Sequence, residues 1–160
     1  MKFSGTMLVV KDMDASKRFY QDVLRRKVSL DLDSYVVFEG FCLMTEPQWR
    51  EFQDRDDVEC KYGNNVCELA FEVEDFDGYL AHFQTFPGIE VQCTVREYEW
   101  GQRSFRFYDP DSHIIEVGEN MKVVAKRCLK SGMTVEETCR KVMYPLEFVQ
   151  ECLDELNAVL

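Results

Sequence analysis

The sequence predicts an α+β fold: two tandem βαβββ modules followed by a three-helix extension. Three observations carry this. Laid on itself at an offset of 63 residues, the chain pairs "LVVKDMDASKRFYQDVLRRKV" with "FEVEDFDGYLAHFQTFPGIEV", so that Val10 meets Val73, Asp12 meets Asp75 and Tyr20 meets Phe83. Each copy opens on alternating apolar residues and then V-x-D-x-D, which places an Asp to cap a helix. After each helix, turn formers divide the chain into short apolar runs that read as strands.

In the first copy an amphipathic helix is expected near 15–24, with strands near 27–32, 35–39 and 41–45. In the second the helix falls near 78–86 and the strands near 90–97, 104–108 and 113–118. The modules thus span about 3–46 and 66–118 of a domain ending at residue 118, joined by a linker over 47–65. That linker, "WREFQDRDDVECKYGNN" at its centre, is charged and closes on turn formers, which suits a surface path.

Residues 119–160 read as a helical extension. Ser131-Gly132 ends a helix over 122–130, Thr134 with Glu137 forms a capping box for 135–142, and Pro145 opens 146–156. Its segment "SGMTVEETCRKVMYPLEFV" resembles a helix-turn-helix core. Six Lys and Arg against seven Asp and Glu leave this tail at −1, however, without the cationic surplus that phosphate contacts need. A packing or oligomerisation element is the better reading.

Composition narrows the classes further. With 160 residues, 46% hydrophobic and 13% aromatic, the chain can bury a real core. Its net charge of −11 repels nucleic acid and anionic membranes. The N-terminal "MKFSGTMLVV" is too short for a signal core, and no window approaches the ~18 apolar residues of a membrane span. A cytoplasmic protein is expected. Seven single cysteines without a C-x-x-C pair argue against a zinc knuckle or a disulfide framework, and most are expected to be small buried hydrophobes.

The paired βαβββ units, the V-x-D before each helix, "FY" within the first helix and the closing "FYDPDSHIIEV" resemble the glyoxalase I, bleomycin-resistance and extradiol dioxygenase superfamily, the vicinal oxygen chelate proteins. The resemblance covers residues 3–118, with Ser112 where the motif usually has Gly. It implies that the modules form a curved mixed sheet around one cavity, usually in a homodimer. It also implies that metal-dependent members hold an ion through the first and last strands of each module. The matching positions here are Gly5, Met44, Glu68 and Glu116.

Gly5 has no donor and Met44 only a soft thioether, while His82 falls inside a helix and His113 in a turn, where it is expected to bond nearby backbone. Two carboxylates alone hold a divalent ion weakly. The expectation is therefore no cofactor, or at most a weakly held divalent metal. Strand alternation sets Leu69, Phe71 and Val73 under a helix and Glu68 on the other face, and it likewise separates Phe105 and Phe107 from Arg106 and Tyr108. Glu68, Arg106 and Glu116 are thereby expected to share a concavity, with a carboxylate paired to Arg106 or Arg103. Cys42, Tyr98 and Trp100 are further candidates for its wall.

Three functions fit this reading. One is a cavity that binds a small molecule without a full metal site, of the bleomycin-resistance type. A second is a lyase or isomerase of the lactoylglutathione lyase type using Glu68 and Glu116 as catalytic groups. A third is a ligand-sensing regulator whose helical tail contacts a partner.

Overall fold

Residues 1–55 and 57–158 are described by a computed structural model; Asp56 of the linker and Val159 and Leu160 of the tail lie outside the described residues. The chain divides into two compact units, 1–68 with 86–89 and 108–114, and 69–85 with 90–107 and 115–160. The division departs from the repeat at one telling place. The D-P-D-S turn, written in the second module, folds with the first unit.

In the first unit β1 (Thr6–Val10) is followed by α1 (Met13–Arg18), β2 (Val28–Asp31), β3 (Tyr35–Phe38) and β4 (Phe41–Thr45). The strands lie in the order β1-β4-β3-β2, with β1 parallel to β4 and β3 antiparallel to both its neighbours. Asp12 caps α1, its carboxylate accepting from the Ala15 N–H at 2.9 Å. The helix expected over 15–24 is α-helical only to Arg18 and continues as a π-helical turn, Phe19–Val23. That wider turn rotates less per residue, so adjacent Phe19 and Tyr20 can both be buried.

Period-two alternation gives this sheet two unlike faces. Leu8, Val10, Val36, Phe38, Phe41 and Leu43 are buried with Met13, Phe19, Tyr20 and Val23 of the helical segment. The Tyr20 ring lies 5.0 Å from that of Phe41, which stacks on Phe38 at 4.9 Å. Full burial of such side chains contributes about 1.5–3 kcal/mol each. The other face presents Met7, Val9, Tyr35, Val37, Cys42 and Met44.

The expected surface linker is partly wrong. It begins with a helix, α2 (Glu46–Gln53), with Pro in its first turn and a Glu46–Arg50 pair at 2.6 Å one turn apart. High charge hid this helix, and half-buried Trp49 is its main apolar signal.

The D-P-D-S turn is held by one buried carboxylate. Asp109 accepts from the Tyr20 hydroxyl (2.8 Å), the Asp111 and His113 N–H groups (2.9 and 2.8 Å), and the His113 Nδ1 (2.8 Å). Asp111 in turn accepts from the Lys11 N–H at 3.2 Å. Burial and the Asp109 carboxylate raise the Tyr20 phenol far above its ordinary value, so it stays a donor. His113 thus bonds a side chain as well as backbone, beyond what the turn alone suggested.

The second unit carries β5 (Glu68–Val73), α3 (Phe76–Phe83), β6 (Val91–Glu97), β7 (Arg103–Tyr108) and β8 (Ile114–Glu119), ordered β5-β8-β7-β6. Asp75 caps α3 through the Gly78 N–H. Phe105 and Phe107 pack under α3, against Phe83 at 4.9 and 4.6 Å. The tail forms α4 (Met121–Lys130), α5 (Val135–Val142) and α6 (Leu146–Asn157), close to the expected bounds and with the capping box at Thr134 and Glu137. Its helices share a core of Met121, Val124, Ala125, Cys128, Val142, Val149 and Cys152, against which Trp100 packs.

Glu119 fastens that tail. It is 1% exposed and accepts from Arg103 (2.8 Å) and Arg127 (2.7 Å), while Arg127 also donates to the Gly101 carbonyl at 2.6 Å. The cysteines are all free, and only Cys128 and Cys152 are buried, which corrects the expectation of mostly buried thiols. No helix among the described residues is long and apolar enough to cross a membrane.

Two outcomes are expected. Tyr20→Phe leaves a buried carboxylate short of one donor and should lower unfolding stability in urea by about 1.5–3 kcal/mol; an unchanged midpoint would deny Asp109 its organising role. For Glu119, burial alone would raise the carboxyl, but the Arg127 and Arg103 hydrogen bonds outweigh it and hold it at about 2 against an ordinary 4.5. Its stabilisation is therefore complete above about 4.5 and lost as pH falls toward about 2. An acid titration of stability should show this loss in the wild type and a smaller one in Glu119→Gln.

Candidate functional site

The open face of the first sheet is where a ligand can be held. Above it lies a pocket of about 650 Å³, in the size range of small-molecule sites. Gly5 and Thr6 come from the entry to β1, Tyr35 and Val37 from β3, and Cys42 and Met44 from β4. Leu32 and Ser34 close one side, and Gln48 and Phe52 of α2 reach over from another. The sheet register explains the set: Met7 pairs with Cys42 and Met44 with Tyr35, so these four side chains share one face.

None of the residues lining this pocket is acidic or basic. Its polar groups are hydroxyls, one amide and one thiol. The Cys42 thiol donates to the Thr6 carbonyl at 3.7 Å, and its hydrogen bond with Tyr35, followed by burial, raises the Tyr35 phenol. The Tyr35 phenol is therefore a neutral hydrogen-bonding handle at neutral pH.

Gly5, Cys42 and Met44, three of the candidates from the sequence, are brought together here. Gly5 has φ +140°, and an added Cβ would meet the Gly40 carbonyl oxygen at 3.2 Å, so a larger residue here would be strained. Gly40 (φ +89°) and Ser112 (φ +65°) occupy matching left-handed turns before the last strand of each module. A non-glycine residue in that region costs roughly 1–2 kcal/mol, which is why Gly is the usual occupant of the second turn.

Most other candidates belong to the second unit, whereas Glu68 and Tyr108 fall at the edges of the first. Glu116 of β8 is ion-paired with Arg106 of β7, and Arg106 also donates to the Tyr98 hydroxyl at 2.7 Å. Tyr98 stacks on Trp100 at 4.4 Å with their planes 4° apart. The expected pairing of Glu116 with an arginine thus holds for Arg106. Arg103 lies elsewhere, between Asp77 at 2.8 Å and Glu119, and acts in the anchoring cluster of the tail. Trp100 likewise serves the tail core. Tyr108 donates to the Asn65 side chain at 3.0 Å, and Glu68 is exposed at the start of β5. His82 is half-buried within α3 beside Tyr79.

The metal positions implied by the resemblance do not form a suitable donor set residue by residue. Gly5 offers no side chain, Met44 a buried thioether, and the Glu116 carboxylate is taken up by a guanidinium. No group of three or more His, Cys, Asp or Glu suited to a metal occurs among the described residues.

Sequence reasoning missed the Asp109 network and the α2 contribution to the pocket. "FYDPD" and the earlier "FY" contained the first as a motif, but nothing in a linear pattern joins Tyr20 to Asp109. The second was masked by the charge of the helix that supplies Gln48 and Phe52.

Comparison with known proteins agrees with this architecture. The glyoxalase-like domain family matches residues 3–122. A protein of unknown function from Agrobacterium tumefaciens strain C58 is 38% identical, covering 75% of this chain and 94% of its own, with a TM-score of 0.69. A glyoxalase/bleomycin resistance protein/dioxygenase from Nocardioides is 21% identical, covers 74% of this chain and 83% of its own, and has a TM-score of 0.60. A lactoylglutathione lyase from Agrobacterium tumefaciens is 23% identical, covers 75% and 95%, and has a TM-score of 0.56. At that identity the last two share the fold. No curated protein matches the sequence.

Proposed function

The chain belongs to the glyoxalase-like domain family, and on that footing we propose that it binds a small, neutral, largely apolar molecule in the pocket over its first sheet, without a resident metal. The observation that carries this reading is the lining: about 650 Å³ enclosed by aliphatic, aromatic and thioether groups with a few hydroxyls, and no acidic or basic side chain. Transferring a charged ligand into such surroundings without a partner is costly, whereas an apolar ligand gains from burial. Tyr35, Cys42 and Gln48 would orient it by hydrogen bonding.

The lyase reading rests on Glu116 and Glu68. The ion pair of Glu116 with Arg106 favours a structural role for the first, since a paired carboxylate is a weaker base and a poorer ligand. A glutathione-derived substrate would also bring carboxylates, for which the pocket offers no cation.

Nile red, a neutral dye, should bind saturably to the purified protein with increased fluorescence. Cys42→Trp, which fills the pocket, should weaken binding by about tenfold, or ~1.4 kcal/mol, with the thermal unfolding profile retained. Equal binding by the variant would place the dye elsewhere and defeat the proposal. Independently, protein purified without chelator or affinity-tag metal should hold no stoichiometric zinc, manganese, nickel or iron, before or after titration. Stoichiometric binding abolished by Glu116→Gln would instead restore the lyase reading.

A further inference from the structure

A second cavity of about 370 Å³ lies within the first unit, against the same β1 strand. It shares only Thr6 and Met7 with the pocket described above. Its floor is β1, its walls are Trp49 and the segment from Glu59 to Cys67, and Ser112 and His113 complete it.

His113 is set up here for more than holding a turn. The Asp109 side chain is wholly buried and is contacted by the Tyr20 hydroxyl, two backbone N–H groups and the His113 Nδ1. With the Tyr20 hydroxyl and the Asp111 and His113 N–H groups already donating to Asp109, we assign the Nδ1 contact as a fourth donation, which in the neutral ring makes Nε2, at the opposite edge, the acceptor. The contact to Asp109 fixes the orientation of the ring. The ring is partly exposed and lines the cavity.

The surroundings select what could donate to it. Tyr62 lies edge-on to His113 at 6.3 Å, its hydroxyl committed to Glu46 at 2.9 Å and its ring covered on one face by the Lys11 ammonium at 4.1 Å. The Lys11 ammonium is also near Asp111, at 3.8 Å. In the lining itself Glu59 and Lys61 balance each other. Aromatic walls, balanced charge and one fixed acceptor fit a neutral planar ring with a single acidic hydroxyl.

We propose that this cavity is a second binding site, taking a small aromatic ring whose acidic O–H donates to His113 Nε2, with Tyr62 and Trp49 in its walls. Neither the family resemblance nor the first pocket requires it.

The test uses the full chain and para-nitrophenol as probe, with para-nitroanisole as the analogue lacking the hydroxyl. The chain has 2 histidines, so His82 serves as an internal control in long-range proton–nitrogen spectra. Saturable para-nitrophenol binding that shifts the His113 ring nitrogens and leaves His82 in place is expected, as is binding about tenfold weaker for para-nitroanisole. His113→Asn retains a donor for Asp109 and removes Nε2; it should lose a similar factor while Cys42→Trp binds like wild type. No saturable binding, binding that leaves the His113 resonances unmoved, or equal affinity for the methyl ether would overturn the proposal. Should His113→Asn fail to fold, the ether comparison and the spectra in the wild type decide it.

Discussion

The Asp109 carboxylate is the interaction on which the first unit depends. A buried carboxylate is costly unless its lone pairs are filled, and here two backbone N–H groups, a phenol and an imidazole fill them. Each donor comes with a structural consequence. The two N–H groups curl the D-P-D-S turn, Tyr20 ties that turn to the helical segment of the first module, and His113 is held with one nitrogen spoken for. The π-helical turn belongs to the same arrangement, since it lets Tyr20 be buried beside Phe19. A residue in a distant part of the sequence thereby becomes part of the first unit's core.

Along β8 two acids three residues apart meet different fates. Glu116 faces Arg106 and stays partly exposed, whereas Glu119 faces the other way into Arg103 and Arg127 and is buried. Opposite parity on a strand is enough to separate them. Two cations and a backbone N–H around Glu119 more than offset its burial, which explains why its carboxyl stays ionised and why the tail begins where it does. The extension is consequently continuous with the second unit, and a boundary drawn at residue 118 cuts through its fastening.

Most of the secondary structure was legible because it is local. Repeat, alternation and capping residues are patterns over a few positions, and Asp12, Asp75 and Thr134 cap as their spacing suggests. The parity of β5 was legible for the same reason, with Leu69, Phe71 and Val73 less exposed than Glu68, Ala70 and Glu72. What could not be read is non-local. Whether Arg103 or Arg106 meets Glu116 depends on how β7 is set against β8, which leaves no local mark in the sequence. The α2 helix was hidden by an opposite failing: its local pattern is polar, and its two large apolar residues, Trp49 and Phe52, give little periodicity to detect.

Family membership fixes the scaffold and leaves the chemistry to individual side chains. The open face of the first sheet has Met7, Val37, Cys42 and Met44, none of which ionises to a carboxylate or an ammonium. The corresponding chemistry of the second sheet includes Arg106 and Glu116, which neutralise each other. A position that could supply a metal ligand is thus occupied at Glu116 by an acid already committed to a cation, and at Met44 by a thioether within an apolar wall. For Glu116 to serve as a ligand, Arg106 would have to release it, because the carboxylate is already engaged by the guanidinium. The neutral lining of the first pocket therefore follows from several side chains acting together.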